Sequence, residues 1–188
     1  GIFVSKKSKK EKLGAKKKYA LISESGKIKI KGFELVRRDW SNIARSTQQT
    51  VLETILRNGN IDEVLTIIEN IINKIKSGNI DLKYLVINTH LRKSIDNYDL
   101  ISPEVAAARK AVKLGYKTKQ EINNGNIGYI ITKKGDSISD KAMLEGIATD
   151  YDPDYYINNQ IIPAVMKILK EMNITEQQIK HLGIQKKL

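Results

Sequence analysis

The sequence contains no cysteine, only three prolines and one tryptophan, and no long apolar run. Without cysteine there is no disulfide, no thiolate ligand for zinc and no thiol nucleophile. A helix that spans a membrane needs about 18 consecutive apolar residues, and the opening GIFVSKKSKKEKL has too short an apolar stretch for a signal peptide. We therefore expect a soluble cytoplasmic protein that has no membrane partner.

Positive charge is abundant and concentrated near the start of the chain. The formal net charge is +12, and the first 50 residues hold eleven lysines and three arginines against four acidic residues, a net of +10. A basic segment attracts nucleic acid, an acidic protein or an anionic surface. Composition alone leaves open a solvated lysine tail that keeps the protein soluble.

The segment after this basic opening predicts a β-hairpin. KYALI and KIKIKGFEL flank the turn sequence SESG, and Lys27, Lys29 and Lys31 alternate with Ile28 and Ile30. Alternation with a period of two, around a turn that contains glycine, is typical of paired strands. We expect one apolar face and one face that carries a row of cations.

The rest of the sequence predicts an α+β fold class that is mostly helical. Helical spacing of apolar residues and terminal glycines predict helices over residues 41–59, 62–76, 103–114 and 153–172. We also expect a strand in YLVINTHL and a strand with a turn in NIGYIITKKGDS. We expect Ser41 to cap the first helix and Pro163 to kink the long one. Thr175 and Gln178 have the spacing of a capping box before a short last helix.

The segment TDYDPDYY places Asp150, Asp152 and Asp154 at alternate positions. A calcium loop would need glycine at its sixth position and glutamate at its twelfth, and neither is present. Because the aspartates precede a predicted helix, capping is favoured over a metal site, and a metal-dependent nuclease is the weaker alternative. His90 and His181 have no neighbouring cysteine or nucleophile, so the sequence assigns no catalytic residue.

The remaining signal is for binding. The candidate DNA contacts are the cations and one aromatic ring of the motifs KKKYA and VRRDWS, namely Lys16, Lys17, Lys18, Tyr19, Arg37 and Arg38. Ammonium and guanidinium groups bind phosphates whatever the base sequence. Trp40 follows the two arginines, and either core packing or stacking on nucleic acid fits its position.

The order of these motifs resembles the C-terminal part of an archaeal-type family B DNA polymerase. KKKYALI, KGFELVRRDWSNIARSTQQTVLETIL and YDPDYYINNQIIPAVMKIL occur in the order that the family has, and the resemblance extends from Gly1 to Met172. It implies that residues 1–40 are a palm edge with the KKKY motif and that residues 41–188 are a helical thumb domain. SKKSKKEKLGA is inserted relative to the family pattern, which leaves open which lysines match it.

The resemblance also implies a role and partners. Lys17 or Lys16, with Lys18 and Tyr19, would contact a primer-template duplex along its backbone and minor groove. The family's catalytic aspartates and its magnesium ions belong to a more N-terminal region, so we expect this chain to bind no cofactor itself. It would be either a fragment or the small subunit of a split polymerase with a large catalytic subunit.

Two further partners or roles stay open. The ending GIQKKL resembles the start of a sliding-clamp-binding peptide, although the two aromatic residues that should follow are absent, and this keeps a clamp among the candidate partners. A non-catalytic accessory DNA-binding protein, using the same basic hairpin outside a polymerase, is the alternative function.

Overall fold

The described part of the chain forms two antiparallel sheets of three strands, one before and one after a pair of helices. The computed structural model describes residues 2–4, 18–34, 39–123 and 125–182. The strands are β1 (Ile2–Val4), β2 (Lys18–Ile22), β3 (Ile28–Lys31), β4 (Ile87–His90), β5 (Asn126–Ile131) and β6 (Ala142–Leu144). The α-helices are α1 (Asn42–Asn58), α2 (Ile61–Lys76), α3 (Pro103–Lys113), α4 (Lys119–Ile122), α5 (Ile138–Lys141), α6 (Pro153–Tyr155), α7 (Ile162–Leu169) and α8 (Glu176–Leu182). The α+β class predicted from the sequence is confirmed.

The predicted basic hairpin is confirmed as strands β2 and β3. They pair antiparallel, with Tyr19 opposite Lys31 and Ile22 opposite Ile28, and β1 pairs with the other edge of β2. Gly26 has a φ of 77°, a left-handed conformation that glycine adopts without strain, and it closes the turn between the strands.

Helices α1 and α2 form the predicted helical pair, with one correction at the start of α1. Ser41 occupies the N-cap position, but its hydroxyl makes no capping bond; it donates instead to the side-chain oxygen of Gln160, 2.9 Å away. This partner is distant in sequence and buried, so local spacing could not reveal it. The side chain of Asn60 caps α2 by accepting from the backbone N–H of Glu63 at 3.1 Å.

The second sheet has the order β4-β5-β6, and β5 is the strand predicted within NIGYIITKKGDS, of which it occupies the first six residues. The strand expected over residues 84–91 is shorter, because residues 82–84 form a 3-10 turn whose start is capped by Asp81. Strand β6 was not predicted, since it has only three residues. Helix α3 begins at Pro103 and ends at Lys113, as its apolar spacing and proline indicate.

The long helix predicted over residues 153–172 is not one regular α-helix. Between α6 and α7 the backbone forms a π-helical segment over residues 156–161, and a 3-10 turn over residues 170–172 follows α7. Pro163 lies just after the π-helical segment. Since proline has no N–H and its ring crowds the preceding turn, the irregularity expected there takes the form of a widened turn. The predicted capping box of Thr175 and Gln178 is confirmed by reciprocal bonds of 2.7 and 3.3 Å.

One large core connects the first sheet, the helices and one end of the second sheet. Tyr156 is fully buried within it; its hydroxyl donates to the carbonyl of Leu85 at 2.8 Å and accepts from the N–H of Ile131 at 3.2 Å. A smaller apolar cluster lies between α3 and the other end of the second sheet. Tyr156 therefore joins the helical body to the second sheet through two backbone groups.

Candidate nucleic-acid interface

The outer face of the first sheet carries two lysines. Lys29 and Lys31 are exposed in β3, and their partners across the hairpin are Leu21 and Tyr19. Residues directly opposite each other in a sheet share a face, so these four side chains lie on one surface, which we call the lysine face. Alternate residues of a strand are about 7 Å apart, so the two ammonium groups can contact different phosphates.

The inner face of the same sheet is fixed in the main core. Ala20 is fully buried in β2, and Ile30 of β3 packs against the core from a partly buried position. Phe33, two residues after β3, is also fully buried. Because the backbone beneath the lysine face is held by these apolar contacts, the lysines extend from a fixed support.

The turn of the hairpin adds a third exposed lysine. The N–H of Ser23 donates to the carbonyl of Lys27 at 2.9 Å, and the N–H of Lys27 donates back to the Ser23 hydroxyl at 3.0 Å. These two bonds close the turn and hold the backbone at Lys27, whose side chain is exposed. Three cations thus follow one another along one arm of the hairpin.

The predicted DNA contacts are only partly within the described part of the chain. Lys18 and Tyr19 begin β2, with Lys18 paired to Val4 of β1, and Tyr19 is partly buried. The other four residues lie outside the described residues: Lys16, Lys17, Arg37 and Arg38. Lys29 and Lys31 were not among the predicted contacts, although the alternation of lysine and isoleucine is the signal that identifies their face.

Trp40 packs against the protein itself. Its ring is partly buried against the main core, and the Nζ of Lys167 lies 5.1 Å from the ring centroid. Of the two positions that the sequence left open for this tryptophan, the structure shows core packing.

Asp152, which precedes α6, serves as its N-cap and as an ion-pair partner. Asp152 accepts from the backbone N–H groups of Asp154 and Tyr155 at 3.0 and 3.2 Å, and it pairs with Lys141 at 2.6 Å. Burial acts to raise the pKa of Asp152, but the bonds from Lys141 and the two N–H groups outweigh it and hold that pKa below its usual range. The predicted capping role is confirmed for Asp152.

The other acidic and histidine side chains do not assemble a metal centre in the ranges described. Asp150 accepts from the N–H of Lys133 at 3.0 Å, and no three histidine, aspartate or glutamate side chains of these ranges are grouped to hold a metal ion. His90 is exposed and lies 3.1 Å from the side-chain oxygen of Asn126, and His181 is exposed in α8. The helices described include none that is long and apolar enough to cross a membrane.

A two-sided sheet with a cationic outer face, held against a helical body, is an architecture suited to binding a polyanion. The family model for DNA polymerase family B matches residues 9–172, and the chain belongs to this family.

The relatives and a solved structure agree with this assignment. The chain is 40% identical to a DNA polymerase of Methanocaldococcus jannaschii over 98% of its own length and 11% of the relative. It is 39% identical to a DNA polymerase of Pyrococcus horikoshii, over 88% of this chain and 13% of the relative. The family B DNA polymerase of Pyrobaculum calidifontis is similar in structure, with a TM-score of 0.71 and 32% identity over 86% of this chain and 21% of that one. The chain thus spans a small part of these relatives' length.

Proposed function

We propose that this chain is the thumb, with the adjoining palm edge, of a family B DNA-directed DNA polymerase, and that it grips the primer-template duplex. In this proposal residues 1–40 are the palm edge and residues 41–188 are the thumb. The DNA contacts are the six residues predicted from the KKKYA and VRRDWS motifs, together with Lys29 and Lys31 of the lysine face.

The observation that carries the proposal is the lysine face, which lies inside the segment that matches the family. Its two lysines are exposed, while Ile30 between them is partly buried against the core. Lysines contact phosphates without reading bases, and the minor groove presents similar acceptors for every correct pair. A surface of this kind holds a duplex of any sequence, which a replicative polymerase needs.

The chemistry of nucleotide addition is assigned to another chain or to a more N-terminal part of the enzyme. The magnesium ions that a complete family B polymerase is expected to use need several carboxylate ligands. In the described ranges no such group is found, and Asp152 is already engaged with Lys141 and two N–H groups. The residues that the structure describes do not fit a catalytic metal site, and the contribution proposed for this chain is to hold and orient the primer end.

Three further features belong to the proposal. If the chain is a natural subunit, it acts with a large catalytic subunit. The ending that resembles a clamp-binding peptide lies outside the described residues, and a sliding clamp stays a candidate partner. We place the protein in the cytoplasm, where it can reach the DNA.

The proposed contact with the duplex can be tested by fluorescence anisotropy. The affinity for a fluorescein-labelled primer-template duplex is measured at several salt concentrations. Replacing Lys29 and Lys31 together by glutamine should weaken binding and make the slope of log K against log salt shallower by about 1.8. The control variant, Lys74→Gln with Lys113→Gln, removes the same charge from the exposed ends of α2 and α3. Equal losses from both variants would show diffuse attraction and contradict this interface.

Reconstitution tests the polymerase role. The purified chain with primed DNA and magnesium should extend no primer alone, whereas adding a polypeptide that carries the catalytic aspartates of the same enzyme should give extension that depends on this chain. Primer extension by the chain alone would contradict the assignment of nucleotide addition to another part of the enzyme. Duplex binding without any gain on mixing would favour the accessory DNA-binding protein.

A further inference from the structure

A fully buried carboxylate lies just behind the lysine face. Glu34 has no exposed side-chain surface, and one of its oxygens is 2.5 Å from the Nζ of Lys167 in α7. Its other oxygen accepts from the side-chain amide of Gln48 in α1 at 2.9 Å. The same amide nitrogen also donates to the carbonyl of Ala164 in α7 at 2.6 Å. Four residues from three parts of the chain therefore share one buried network.

The network joins the end of the first sheet to two helices. Glu34 follows Lys31, the last residue of β3, by three positions, so a shift of its side chain is transmitted to the strand by a short length of backbone. Lys167 is 37% exposed and also lies over the ring of Trp40, 5.1 Å from its centroid. A buried carboxylate is tolerated when a cation and hydrogen-bond donors surround it. Moving these partners away leaves a buried charge without compensation, which lowers the stability of the fold. The carboxylate therefore favours a single placement of the strand end against α1 and α7.

We infer that Glu34, held by Gln48 and Lys167, is a positioning residue that sets the lysine face against the helices and thereby sets its contacts to the DNA phosphates. This inference rests on the proposed function, because it assumes that Lys29 and Lys31 contact the duplex. It adds that the lysines act together only while the network keeps their strand in place.

The negative charge of Glu34 allows a clear test. Attraction by net charge and positioning of the lysines predict opposite changes in duplex affinity when Glu34 is replaced by glutamine. Glu34→Gln raises the formal net charge of +12 by one, so attraction by overall charge alone would tighten duplex binding. Positioning predicts weaker binding, by about fivefold, and a shallower salt slope, because fewer phosphates are contacted at once. Anisotropy with the labelled primer-template duplex measures both quantities, and circular dichroism confirms that each variant is folded.

Lys167 supplies the matched comparison. Lys167→Met should weaken binding by more than Lys170→Met, which removes the same charge from an exposed position three residues later. Lys167→Arg keeps the cation opposite Glu34 and should bind within about twofold of the unchanged protein. If Glu34→Gln does not fold at the assay temperature, the comparison of these three variants gives the same answer.

A double-mutant cycle separates positioning from a general loss of structure. Adding Lys29→Gln and Lys31→Gln to Glu34→Gln should cost less affinity than the same two changes cost alone, because the displaced lysines no longer contact phosphates together. Independent effects, or binding by Glu34→Gln that equals or exceeds that of the unchanged protein, would overturn the inference. If the two lysine changes have no effect in either background, it is the proposed interface that fails.

Discussion

In the first sheet, strands β2 and β3 have one face in the core and one toward solvent, whereas β5, the central strand of the second sheet, is buried on both faces. In β3, exposed and partly buried residues alternate. In β5, five consecutive residues from Ile127 to Ile131 are buried, which requires cover on both sides. The cover comes from α3 and its apolar cluster at one end and from the main core at the other.

The difference separates an exposed cationic surface, which we propose binds DNA, from an internal support. The strands of the second sheet contain no lysine or arginine, while β3 presents Lys29 and Lys31. The second sheet is held to the helices by the hydroxyl of Tyr156, which bonds to backbone groups of two segments. Changes in the second sheet should therefore lower stability and leave DNA affinity intact, and changes on the lysine face should do the reverse.

The largest expected effect comes from the inner side of the first sheet. Phe33→Ala removes a fully buried ring and should lower the free energy of unfolding by about 3–4 kcal/mol, because a cavity is left in the core. Leu21→Ala, on the outer face, should cost about 1 kcal/mol or less, since Leu21 is only partly buried. Urea unfolding followed by circular dichroism measures both, and equal losses would contradict the one-sided burial of this sheet.

Tyr156→Phe tests the support of the second sheet. The change keeps the ring but removes the hydroxyl, so the buried N–H of Ile131 and carbonyl of Leu85 lose a partner. The free energy of unfolding should fall by about 2 kcal/mol. Tyr84→Phe, at a side chain that is 49% exposed, should change it by less than about 0.5 kcal/mol. Duplex affinity, measured well below the melting temperature, should be unchanged in both variants, and a loss in Tyr156→Phe alone would link the second sheet to binding.

Alkaline pH should act on Tyr156 and on three other tyrosines whose pKa is raised by burial. Burial raises the pKa of Tyr129, Tyr151, Tyr155 and Tyr156 above the ordinary value of 10.0. Below pH 10 both the folded and unfolded states hold these protons, so stability is not reduced. Above it the unfolded chain releases them first, and the free energy of unfolding falls by up to about 1.4 kcal/mol per pH unit for each tyrosine. Tyr156→Phe should show a smaller fall between pH 10 and 11; an identical slope would contradict the contribution of Tyr156.

The parts of this fold that the sequence predicted are those with a local pattern. The alternation in KIKIK gave the hairpin, and helical spacing with terminal glycines gave α1, α2 and α3 within a few residues. The contacts that could not be predicted join residues that belong to different elements of the chain. Ser41 bonds to Gln160 and Glu34 pairs with Lys167, and no spacing rule connects positions more than a hundred residues apart. Gln48 is only 14 residues from Glu34, but the two lie in different elements, and no local pattern connects them.

As with the fold, only part of the candidate site could be predicted from the sequence. The basic motif and its tyrosine follow from composition and order, and they led to the family that the comparisons show. The lysine face needed the register of β2 against β3, because only pairing shows that Lys31 and Tyr19 share a surface. The roles of Lys16, Lys17, Arg37 and Arg38 stay predictions, since these residues lie outside the described ranges.

The smallest expected change in stability distinguishes the two sheets most directly. Lys29→Gln, on the first sheet, and Lys133→Gln, two residues after β5, both remove one exposed charge. Each should alter the free energy of unfolding by less than about 0.5 kcal/mol. Only Lys29→Gln should make the salt slope of duplex binding shallower, by about 0.9, because one phosphate contact is lost. If Lys133→Gln changes the slope as much, the duplex also lies against the second sheet and the separation of binding from support does not hold.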